Sequence, residues 1–90
     1  MLTVAVPAMS AAMDTETLAG YLEVARRLTR DIDHIVERRR AALQVLEREG
    51  SDTSKARRFL GVAEELQRMI WSDKEQLEKE MQGLLKRQDR

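Results

Sequence analysis

After Pro7 the chain runs to residue 90 without another proline, and its apolar residues return every three or four positions. Proline is the residue that most surely breaks a helix interior, so helices of about 35 residues, roughly 50 Å long, are open to this sequence. The spacing is the helical period, not the alternation of a strand. One place interrupts it. Gly50, Ser51, Asp52, Thr53 and Ser54 are residues that end helices in the left-handed conformation, form turns and cap the next helix. The expectation is an all-α chain with a helix over 14–49, a turn over 50–54 and a helix over 55–87.

Asp14 is placed to cap the first helix, with Met13 and Leu18 at the spacing of a hydrophobic staple. From there Leu18, Tyr21, Ala25, Leu28, Ile32, Ile35, Ala42 and Leu46 follow the a and d positions of a heptad, broken by Arg39 at an a position. Leu22, Val36 and Leu43 widen the stripe at e. The second helix repeats the pattern with Ala56, Phe59, Leu60, Ala63, Leu66, Ile70, Leu77, Met81 and Leu84. Folding the chain about residue 51 sets Leu46 opposite Ala56, Leu43 opposite Phe59 and Val36 opposite Leu66. It also sets Ile32 opposite Ile70, Ala25 opposite Leu77, Tyr21 opposite Met81 and Leu18 opposite Leu84. Two unrelated heptad phases need not agree in this way. They predict an antiparallel two-helix hairpin with coiled-coil-like packing. Two layers are imperfect: Arg39 meets Ala63, and Leu28 meets Asp73 and Lys74.

Residues 1–13 carry no charged side chain. No Lys or Arg precedes Arg26, and Pro7, Thr3 and Ser10 dilute the apolar run, which argues against a secretion signal. A mobile N-terminal tail on a cytoplasmic chain is the expectation, with Met9 and Met13 as alternative starts. No apolar run approaches the roughly 20 residues of a membrane span.

Composition removes several function classes. Lys and Arg number 16 and so do Asp and Glu, so no net charge draws the chain to nucleic acid or anionic lipid. Cysteine is absent, which excludes thiolate chemistry and disulfides. His34, the one histidine, falls at an outward c position in a single His-x-x-Glu, the reverse of the paired Glu-x-x-His of di-iron bundles. The four glycines, at 20, 50, 61 and 83, form no phosphate loop. Neither catalytic residues, a cofactor nor a metal is expected. Gly61 is either tolerated inside the second helix or admits a neighbouring backbone.

What the sequence offers instead is surplus apolar surface. Val24, Val45, Val62 and Met69 take g positions, where a self-sufficient coiled coil carries charge, and Trp71 lies outside the stripe at b. Two helices cannot cover so wide a face. The function expected is a non-enzymatic protein–protein interaction module, a small adaptor, chaperone or inhibitor. Its partner is a second copy, giving a homodimeric four-helix bundle, or a larger protein. The alternative is a nucleic-acid-associated regulator that uses Arg38, Arg40, Arg57 and Arg58 near the turn. Against it, successive helical residues point about 100° apart, so the arginines splay. Glu23 with Arg27, Glu64 with Arg68 and Glu75 with Lys79 also stand at ion-pair spacing, as on a solvated face.

Overall fold

The computed structural model describes residues 14–88. The first thirteen residues, and with them the proposed tail and the Met13 half of the staple, lie outside the described residues. Two helices make up the fold, α1 over Thr15–Arg48 and α2 over Ser54–Gln88, and no strand occurs among the described residues. They pack against each other along their length as a hairpin.

Both ends of α1 follow from local chemistry. The Asp14 carboxylate accepts from the Thr17 amide at 2.8 Å, capping α1. At the other end Gly50 adopts φ +72, and two amides turn back, Gly50 N–H to Glu47 O at 3.2 Å and Ser51 N–H to Leu46 O at 3.0 Å. That pair of bonds is the Schellman ending, and it needs a residue that enters the left-handed region freely. Asp52 then accepts from both the amide and the hydroxyl of Ser54, at 3.0 and 2.8 Å, and α2 begins one residue before the expected start.

The helices meet in the expected register but on different faces. Leu18, Leu22, Ala25, Thr29, Ile32 and Val36 of α1 are buried, and Ala63 of α2 is buried with them. Leu60 and Ile70 pack against the cluster of Ile32, Val36 and Ala63, which puts Ile70 near the level of Ile32 and Val36. Leu22 and Val36 therefore belong to the seam itself. Tyr21, Leu28, Ile35, Phe59 and Leu66, which the heptad reading puts in the seam, are instead 42–49% exposed. Opposing Val36 to Leu66 and Leu43 to Phe59 is thus incorrect. Each helix is turned by one heptad position, about 50°. On the corrected wheel Leu22, Thr29, Val36 and Leu43 are a residues, and Leu60, Gln67, Lys74 and Met81 are theirs on α2.

Three polar side chains on this line hide the correct phase, and each has a partner. The Thr29 hydroxyl donates to the Ala25 carbonyl one turn back, at 2.8 Å. Gln67 donates to Asp33 at 2.9 Å. Lys74 lays its stem along the seam, with its ammonium 4.3 Å from the Trp71 ring centre and 3.8 Å from Glu78. No buried polar side-chain atom among the described residues lacks a hydrogen-bond partner.

Candidate interaction face

The rotation gives the hairpin two unlike flanks. On one, Arg26, Asp33, Arg40 and Glu47 recur every seven residues along α1, and Glu78, Trp71, Glu64 and Arg57 answer them along α2. Arg40 meets Glu64 at 3.0 Å, Arg57 meets Glu47 at 2.6 Å and Arg26 approaches Glu78 at 3.9 Å. Between them the Trp71 indole N–H donates to Asp33 at 2.9 Å. This bond, with the one from Gln67, holds the Asp33 carboxyl below the usual carboxylate range. Every step of this flank is a complementary pair. That complementarity accounts for the rotation: in the expected phase these side chains would point away from one another. Glu64 accordingly turns across to α2's neighbour instead of along its own helix to Arg68.

The other flank carries no such pairs and is apolar. Three shallow depressions follow one another along it. Nearest the turn, one of about 250 Å³ is lined by Arg39, Ala42, Leu46 and Phe59 among others. The next, about 210 Å³, lies among Ile35, Phe59, Val62 and Leu66. The third, about 200 Å³, lies among Tyr21, Val24, Leu28 and Asp73. Val45 stands on the same line of α1 as Val24, and Met69 is seven residues beyond Val62. Nine large apolar side chains thus lie on one face, from Tyr21 to Met69, the most open being Val62 at 62%. Within the chain, Arg39 is the one charge seated on this face's aromatic, its guanidinium 5.6 Å from the Phe59 ring centre.

The residues singled out from sequence divide between the flanks. Val24, Val45, Val62 and Met69 come together on the open face, at c positions of the corrected heptad. Trp71 lies on the paired flank, tied to Asp33 and Lys74, and is not brought to the other four. Tyr21, Leu28, Ile35, Phe59 and Leu66 belong to the face and were assigned to the seam. The signal that finds them is the complementarity of the paired flank, which only one rotation creates. Of the four arginines, Arg40 and Arg57 are held by Glu64 and Glu47. Arg38 stands on the line of Val24 and Val45, and Arg58 points away from both, so the structure assembles no single basic surface. His34 is exposed, and no group of three potential ligands gathers among the described residues. A Cβ on Gly61 would meet open space, so no backbone among the described residues approaches it.

Fold and face together define a two-helix hairpin with one flank closed by polar pairs and one flank open and apolar. No protein-family model, curated protein or solved structure matches this chain. No helix among the described residues is long and apolar enough to cross a membrane.

Proposed function

We propose that the protein is a non-enzymatic interaction module, a small cytoplasmic adaptor, chaperone or inhibitor whose open face docks an apolar helical surface of a protein partner. The observation that carries this is the gathering of nine large exposed apolar side chains on one side of the hairpin. Scattered exposed hydrophobics are ordinary, whereas a continuous apolar surface of several hundred Å² is the usual mark of a protein interface. The depressions between α1 and α2 suit side chains of a helix laid along the groove. The arginines support nucleic-acid binding less well, because two of the four already neutralise carboxylates.

Site-specific photo-crosslinking in the native host tests the proposal. A crosslinker at Leu28 should give protein adducts, and one at Glu65, on the outer surface of α2, should give few. Replacing Val62 and Met69 with Glu should abolish the Leu28 adducts while leaving the helix content unchanged. Equal adducts from Leu28 and Glu65, or none from either, would refute the module.

A further inference from the structure

Resting on that proposal, we infer that the partner is a second copy of this chain, packed face to face and antiparallel, with the two turns at opposite ends of a four-helix bundle. The warrant is the order of residues along the open face. Val24, Asp31, Arg38 and Val45 form one row of α1 at seven-residue intervals, all exposed. Reversed, the row reads valine, arginine, aspartate, valine. An antiparallel copy therefore sets valine against valine at both ends and Asp31 against the second copy's Arg38 twice. The twofold axis then passes between His34 and Ile35.

The second helix is arranged about the same axis. Ile70 packs against the cluster that holds Ile32 and Val36, so the axis crosses α2 near Gln67 and Arg68. About that point Lys55 is carried onto Glu80, and Leu66 onto Met69. Arg39, beside the Phe59 depression, is likewise carried to the level of Asp73, which lines the depression at the other end. The face thus carries Arg38, Arg39 and Lys55, with Asp52, toward the turn and Asp31, Asp73 and Glu80 toward the open end, a polarity that a twofold axis across the hairpin makes self-complementary. The parallel arrangement, turn beside turn, would instead lay this row along the copy's α2, whose own row is Lys55, Val62, Met69 and Gln76, and would set Asp31 and Arg38 near Met69 and Val62 with no opposite charge to meet. Neither Asp31 nor Arg38 has an ion-pair partner among the described residues. The area is sufficient as well. An α1 of 34 residues is about 51 Å long and two packed helices are about 20 Å across, which offers on the order of 1,000 Å². A stable interface needs roughly 800 Å² from each partner.

Sedimentation equilibrium of the full chain tests the pairing. Asp31→Arg and Arg38→Asp should each weaken dimerisation at least about ten-fold, through like charges brought face to face. The double variant Asp31→Arg with Arg38→Asp restores opposite charges and should return to within about three-fold of the wild type. Circular dichroism should show unchanged helix in all three, since both positions are exposed. The chain has no native cysteine, so orientation is read directly. Val24→Cys mixed with Val45→Cys should form a disulfide between copies, and neither should do so alone. A double variant as weak as the single ones, or self-linking by Val24→Cys, would overturn the antiparallel pairing. A wild-type monomer at about 100 μM would overturn the second copy as partner, a concentration at which even micromolar affinity fills the dimer. The Leu28 adducts would then still decide the interaction module on their own.

Discussion

Gly50 is the one residue of the hairpin whose identity the backbone dictates. Its φ of +72 lies where a side chain meets the following carbonyl, and the two turning-back bonds depend on it. Gly50→Ala meets no neighbouring atom, so its effect is purely conformational. It should cost about 1–2 kcal/mol. For a domain of this size that lowers the melting temperature by roughly 4–8 °C per kcal/mol, measured by thermal circular dichroism. Gly20 and Gly61 offer the contrast: a Cβ at either meets open space, and neither has positive φ.

At the scale of the elements, the turn, its cap residues and the register of α1 on α2 were legible because each rests on short-range chemistry or on simple spacing. The faces were not. Two apolar lines with five large residues each flank the row of Ala25, Ile32, Ala63 and Ile70, and the one of Tyr21, Leu28, Ile35, Phe59 and Leu66 is the one left outside. Apolar content hardly separates them, since the buried line includes Thr29, Gln67 and Lys74 and the outer one Asp73 and Glu80. What decides between them is long-range: only the observed rotation sets Arg40 on Glu64, Glu47 on Arg57 and Asp33 on Trp71. This flank also predicts a pH dependence. Asp33 has a lowered pKa in the folded chain, chiefly through the Trp71 and Gln67 bonds. A carboxyl depressed on folding stabilises fully above its unfolded value of about 3.9, and the contribution is lost as pH falls through the folded value. Asp33→Ala should therefore be less stable than the wild type at neutral pH, on the order of 1 kcal/mol. Denaturation curves of the two proteins should draw together as pH falls through the lowered folded-state value of Asp33.

At the scale of the whole molecule, the two faces should respond to mutation in different ways. Leu22 is 5% exposed and Ile35 is 42% exposed, on lines that flank the Ala25–Ile32 row of one helix. Leu22→Ala removes seam packing and should cost about 2–4 kcal/mol at any protein concentration. Ile35→Ala should cost little in dilute solution and, on the proposed pairing, progressively more as concentration rises, through lost contact between copies. Melting both variants over a hundred-fold range of concentration separates them. The paired flank has a further consequence, for the route by which the chain closes. A hairpin that zippers from its turn can be trapped one heptad out of step, since such a misfold buries comparable apolar area. Displaced by seven residues in one direction, Glu47 would meet Glu64 and Asp33 would meet Glu78. Displaced in the other, Arg40 would meet Arg57 and Asp33 would meet Glu64. Solvent-exposed pairs deepen the native state little, at roughly 0–1 kcal/mol each. Their larger effect is to raise both neighbouring traps together, so that the landscape narrows toward a single alignment.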